Sequence, residues 1–186
     1  MKNNKLIIII ATVLCASMLF TSCGAVDFNF IVSEFTASNN SKSYDQSGLS
    51  KAADFTVYDS LGNPKSLSEF KGKPVVLNFW ASWCGYCKQE MPQFDEAYKK
   101  YGEDVQFLMV DLTDGRQETQ KRASSYLSGS GFTFPVYFDL RLNAAEAYNI
   151  HAVPKTFLID SDGYIVEQVN GAVSDGYLDD KLPKLK

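Results

Sequence analysis

Two cysteines separated by two residues stand where an apolar run gives way to a helical pattern, and that junction restricts the chain more than any other feature. Pro74 to Trp80 contains Val75, Val76, Leu77 and Phe79, a nearly continuous apolar run of the kind found in a central strand covered on both faces. Trp83-Cys84-Gly85-Tyr86-Cys87 follows at once. From Cys84 to Tyr101, Met91, Phe94, Ala97, Tyr98 and Tyr101 recur at spacings of three and four, which predicts a helix, with Pro92 expected to kink it. At a helix N-terminus the unpaired backbone N–H groups and the positive end of the dipole stabilise a thiolate. The first cysteine's pKa is therefore expected to fall from about 8.5 into a range of roughly 3.5 to 7.5. In thiol–disulfide exchange Cys84, at the exposed end, would attack and Cys87, one turn inward, would resolve the mixed disulfide; run backwards, the same pair is an oxidant.

Other uses of the pair fit less well. Structural zinc needs four ligands, and the chain has neither a second such pair nor any histidine besides His151. Covalent haem needs histidine directly after the second cysteine, where Lys88 stands. A purely structural disulfide remains as an alternative, although so small a loop removes little chain entropy.

Around this junction the chain reads as alternating strands and helices. Phe55 to Tyr58 is a short strand, and Asp59 to Pro64 is turn chemistry. Val105 to Asp111 is a second buried strand. Asp114-Gly115-Arg116-Gln117 has the form of a capping box opening a helix to about Ser128. A strand at Pro135 to Phe138, a helix at Asn143 to Tyr148, a hairpin of Thr156 to Asp160 with Ile165 to Asn170, and a helix at Ser174 to Leu182 complete it. That order gives an α/β domain whose last two strands are antiparallel.

The N-terminus has another character. Lys2 and Lys5 precede an apolar run from Leu6 to Phe20, shorter than the roughly 20 residues a spanning helix needs and suited to an export signal. Phe20-Thr21-Ser22-Cys23-Gly24 resembles the bacterial lipoprotein signal, so 1–22 is expected to be removed and Cys23 to carry a lipid anchor. An ordinary secretory site beside a free Cys23 is the alternative. Cys15 would leave with the signal. Residues 23–50, rich in Ser, Asn and Asp, read as a flexible tether, although Phe28, Phe30, Ile31 and Phe35 suit docking as an extra strand. The domain proper is placed at 51–186. Export fits a compartment where disulfides persist. The net charge of −4 gives no basic footprint for nucleic acid. The four cysteines thus reduce to one exchangeable pair.

The segment Val75-Val76-Leu77-Asn78-Phe79-Trp80-Ala81-Ser82-Trp83-Cys84-Gly85-Tyr86-Cys87-Lys88-Gln89-Glu90-Met91-Pro92 resembles the active-site segment of the TlpA/ResA-like family. Val153-Pro154-Lys155-Thr156-Phe157-Leu158-Ile159-Asp160 resembles that family's cis-proline segment. The resemblance covers roughly Leu49 to Leu185. It implies a thioredoxin-like fold, with a central mixed sheet flanked by helices and an N-terminal extension. The implied activity is extracytoplasmic thiol–disulfide exchange through Cys84 and Cys87, without metal or cofactor. The implied partners are disulfide-bonded proteins of the cell envelope, apocytochrome c among the candidates, and a CcdA/DsbD-like membrane thiol-electron carrier. Tyr86 stands where the family commonly has proline, and Val153 and Lys155 flank Pro154 where many relatives have threonine, so potential and partner choice do not carry over.

Asn78 occupies the strand position where cytoplasmic thioredoxins carry an acid, and an amide cannot move a proton. Glu90, three residues beyond Cys87 on one helix face, is expected to replace that acid; the alternative is a solvated carboxylate. A cis bond before Pro154 would present Val153's backbone beside Cys84 as an edge for an extended substrate. Trp83 and Tyr86 offer apolar contact around the sulfurs, or simply pack. His151 reads as a solvated loop residue. The remaining functional alternatives are a disulfide-forming oxidase and a non-catalytic peptide-binding lipoprotein. A peroxidase fits poorly, because its cysteine context is absent.

Overall fold

The computed structural model describes residues 48–185. The expected signal at 1–22 with Cys15, and residues 23–47 with Cys23 and Phe28 to Phe35, lie outside the described residues. The strands are β1 (Ser50–Lys51), β2 (Thr56–Tyr58), β3 (Pro64–Ser66), β4 (Val75–Trp80), β5 (Gln106–Asp111), β6 (Val136–Phe138), β7 (Lys155–Ile159) and β8 (Tyr164–Asn170). The α-helices are α1 (Gly85–Tyr101), α2 (Gln120–Ser128), α3 (Asn143–Ala147) and α4 (Tyr177–Lys181), with 3-10 turns at Leu67–Phe70 and Leu182–Lys184.

The strands form one mixed sheet in the order β1-β8-β7-β4-β5-β6-β2-β3. The apolar run at β4 is central and buried at every position. It pairs in parallel with β5 from Val75↔Gln106 to Trp80↔Asp111 and antiparallel with β7 from Val75↔Ile159 to Phe79↔Lys155. Successive side chains of a strand point to opposite faces, so β4 feeds two cores. Val76 and Trp80 pack with Met91, Phe94 and Ala97 of α1 and with Leu178 of α4. Val75, Leu77 and Phe79 pack with Phe55, Val57, Ala144 of α3 and Tyr148. Each large apolar side chain buried here contributes roughly 1.5–3 kcal/mol. The sheet is thus covered on both faces, as its apolar runs require.

Several local expectations change. The capping box at Asp114 does not open a helix. Gly115 takes a left-handed φ of 73°, and the Asp114 carboxylate instead accepts from the Arg116 and Glu118 amides, each at 2.8 Å, closing a turn. α2 starts six residues later, capped by Thr119, whose hydroxyl accepts from the Arg122 amide at 3.2 Å. The turn after β2 leads into β3, which carries no apolar period and forms through backbone pairing across the hairpin. Ser50, assigned to the tether by composition, already pairs with Ile165. α4 begins only at Tyr177, because Gly176 has a φ of 75°. Pro92 lies inside α1, which continues through it from Gly85 to Tyr101.

Candidate active site

The end of β4 delivers the chain into a tight turn in which the Cys84 amide donates to the Ala81 carbonyl at 3.1 Å. Cys84 is then the N-cap of α1, with extended backbone, and its Sγ accepts from the Cys87 amide at 3.1 Å. A 17-residue helix therefore starts on the first sulfur, where its dipole and orphan N–H groups favour negative charge. Cys84 and Cys87 are joined as a disulfide with a Cα–Cα distance of 5.3 Å. Cys84 keeps 5% exposure and Cys87 none, so of the two residues only the first reaches the surface.

The second wall comes from the loop before β7. The Val153–Pro154 peptide is cis, and the Val153 carbonyl oxygen lies 3.6 Å from Cys84 Sγ. Once Cys84 is reduced, its S–H can donate to that oxygen. Pro154 is buried and Val153 partly so. Trp83 and Tyr86 are 49% and 69% exposed, which removes core packing as their purpose and leaves the two rings, adjacent in sequence to the cysteines, in contact with water. His151 is also exposed.

Glu90 is not a solvated carboxylate. It is buried with 1% exposure, on the α1 face turned to the sheet. Its Oε1 accepts from Asn78 Nδ2 at 2.9 Å and its Oε2 from the Val173 amide at 2.9 Å. The Asn78 amide also donates to Thr156 Oγ1 at 3.0 Å. Burial pushes the Glu90 carboxyl up to about 7, with the Val173 and Asn78 hydrogen bonds opposing. Asn78 thus moves no proton but orients a carboxyl that titrates near neutrality, one helical turn from Cys87. Sequence reasoning singled out Asn78 and Glu90 but missed Thr156 and Val173, whose only signal is tertiary proximity.

A second pair of buried acids, Asp111 at the end of β5 and Glu118, lies on the other side of the same turn, at 0% and 1% exposure. Neither entered the sequence reading, although an aspartate ending an apolar strand is a visible anomaly. Among the described residues no group of three His, Cys, Asp or Glu side chains is arranged to hold a metal ion.

A three-layer α/β fold with a cysteine pair at the N-terminus of the helix after its central strand, facing a cis-proline loop, defines a thioredoxin-fold redox protein. Residues 49–168 match the AhpC/TSA family model. A protein named thiol-disulfide oxidoreductase ResA from Bacillus thuringiensis subsp. konkukian is 32% identical over 186 residues, 100% of this chain and 99% of the relative. The protein of that name from Bacillus subtilis is 33% identical over 138 residues, 74% of this chain and 75% of its own. Among solved structures, the exposed lipoprotein thioredoxin of Streptococcus pneumoniae superimposes with a TM-score of 0.63 at 30% identity, over 72% of this chain and 100% of that one. StoA of Bacillus subtilis gives a TM-score of 0.61 at 28% identity, over 69% and 96%. The chain belongs to the ResA-type family of thiol-disulfide oxidoreductases.

Proposed function

We propose that this chain is a lipid-anchored, extracytoplasmic reductase of disulfides in cell-envelope proteins, with Cys84 as nucleophile, Cys87 as resolving thiol and Glu90 as the acid–base group. The observation that carries this reading is Cys84 itself: a nearly closed-off sulfur at a helix N-cap, receiving the Cys87 amide and lying 3.6 Å from the Val153 carbonyl. In the reduced state the Cys84 thiolate attacks a substrate disulfide, forming a mixed disulfide and releasing one substrate thiolate. Cys87, its proton taken by Glu90, then attacks Cys84 Sγ and releases the second substrate sulfur as a thiol. Two electrons and, through Glu90, the Cys87 proton have passed to the substrate, whose first sulfur leaves as a thiolate, and the Cys84–Cys87 disulfide remains. A CcdA/DsbD-like membrane thiol-electron carrier would restore the dithiol by the reverse exchange.

Val153 and Pro154 border the sulfur so that an extended substrate segment can lie against the loop's backbone, with Trp83 and Tyr86 as exposed aromatic contacts. The apolar run from Leu6 to Phe20 and the Cys23 that follows it support export and lipid attachment, and the lipoprotein character of the pneumococcal relative agrees with this. Apocytochrome c is one candidate client among envelope proteins with disulfides.

A Cys87→Ser variant tests the reading in cells: it should accumulate mixed disulfides through Cys84 with envelope proteins, and the additional Cys84→Ser change should abolish them. If no such species forms and insulin reduction survives both substitutions, the scaffold is a binding module and the proposal fails. A reduction potential below about −230 mV supports the reductant direction, whereas a value near −120 mV would make the chain an oxidase.

A further inference from the structure

Glu118 lies 36 residues from the cysteine turn in sequence, yet its carboxylate reaches that turn. One oxygen accepts the Ser82 amide and the other the Thr119 amide at 3.0 Å. The loop that presents it is itself tightly held. Asp114 binds the Glu118 amide, the Gly115 amide returns to the Glu118 carbonyl at 2.9 Å, and the Arg122 guanidinium donates to the Arg116 and Gln117 carbonyls. The chain beneath is fixed by the Leu112 amide donating to the Trp80 carbonyl at 3.0 Å. A loop braced at both ends and carrying a buried carboxylate onto one backbone amide acts as a clamp on the residue that amide belongs to.

We propose that Glu118 is a positioning residue for thiol–disulfide exchange: by holding the Ser82 amide it fixes the Ala81–Cys84 turn, and so keeps Cys84 in the N-cap geometry that receives the Cys87 amide. This rests on the reading of Cys84 as the nucleophile. Ser82 is two residues from Cys84, and the turn closes through the Cys84 amide bond to Ala81. If Ser82 is released, the turn gains freedom, and the Cys87 N–H and helix dipole lose their alignment on Cys84 Sγ. A carboxylate suits this task because hydrogen bonds to an ionised acceptor are about twice as strong as neutral ones.

Asp111 supports the arrangement. Its Oδ1 accepts from the Thr113 hydroxyl at 2.7 Å, while Oδ2 has no hydrogen-bond partner among the described residues. Burial first, then the Glu118 charge among smaller contributions, pushes the Asp111 carboxyl up to about 8, with the Thr113 hydrogen bond opposing.

The positioning role and a through-space charge effect predict opposite signs. Loss of the clamp withdraws stabilisation from the Cys84 thiolate and raises its titration midpoint, whereas mere loss of a nearby negative charge lowers it. The test uses the reduced full-length protein and follows iodoacetamide labelling of the Cys84 peptide by mass spectrometry from pH 5 to 10. Glu118→Ala should raise the midpoint and slow labelling at pH 7 about tenfold, with faster hydrogen exchange at the Ser82 amide. Glu118→Gln, which keeps size and an acceptor oxygen, should keep the Ser82 amide more protected from hydrogen exchange than Glu118→Leu, which removes the acceptor at similar size and stands in for alanine if that variant does not fold. A midpoint that is unchanged or lowered in Glu118→Ala, or in Glu118→Leu where alanine does not fold, overturns the inference. If instead wild-type Cys84 labels like an ordinary thiol and Cys84→Ser retains insulin reduction, it is the proposed function that fails.

Discussion

At Glu90 the sequence offers a helix carboxylate three residues after Cys87, and nothing in that spacing says whether water reaches it. Neighbours from three other parts of the chain decide: Asn78 on β4, Thr156 on β7 through Asn78, and the Val173 amide. Burial raises the carboxyl to about 7 while two donors keep its ionised form accessible, the balance a group needs to exchange protons near neutrality. Glu90→Gln removes the titration and keeps the shape. In the reduced variant the midpoint of Cys84 labelling should fall by about one pH unit, because a negative charge near the thiols is gone. An unchanged profile would mean that Glu90 is only a buried support. The opposite signs expected for the Glu90 and Glu118 variants separate an acid that acts by its charge from one that acts by its hydrogen bond.

At the scale of elements, residues with strong local preferences were legible. β4 and α1 are encoded by an apolar run and by spacings of three and four, and the structure differs from that reading by a residue at most. α2 was misplaced at its start because Asp114 can cap a helix or close a turn. The left-handed Gly115 and the Thr119 hydroxyl select the turn. The end of α1 depends on a close approach. A Cβ on Gly102 would meet the Tyr98 carbonyl oxygen at 2.6 Å and the Tyr98 ring at 2.8 Å, although its φ of −66° is ordinary for any residue. Tyr98 cannot retreat freely, since its ring packs edge-on against Phe107 at 5.5 Å. Gly102→Ala should cost roughly 1–3 kcal/mol, read as a lower urea midpoint with an unchanged slope. A variant as stable as the parent would show that the helix end relaxes without strain.

For the whole molecule, two buried acids set the direction of pH dependence. Glu90 and Asp111 are raised to about 7 and about 8, in each case chiefly by burial. Between roughly pH 4.5, where unfolded carboxylates have ionised, and pH 8, the folded chain retains protons that the unfolded chain has released. Unfolding free energy therefore falls as pH rises through this window. Asp59 and Asp114 act in the other direction: Asn63 on the first and backbone amides on the second hold them below the ordinary range, so their contribution is lost as pH falls below about 4. The oxidised protein should show a higher urea midpoint at pH 5 than at pH 8.5, and Asp111→Asn should flatten the difference; a flat parent profile would contradict the burial argument. The sequence alone determined the α/β class, the cysteine pair and its place at a helix start, because strand, helix and cap preferences act over a few neighbouring residues. Tertiary structure alone decided which groups hold Glu90 and the turn before Cys84. Val173 is 83 residues from Glu90, and Glu118 is 36 from Ser82. Those encounters depend on strand order and loop closure, and no local pattern of residue types records them.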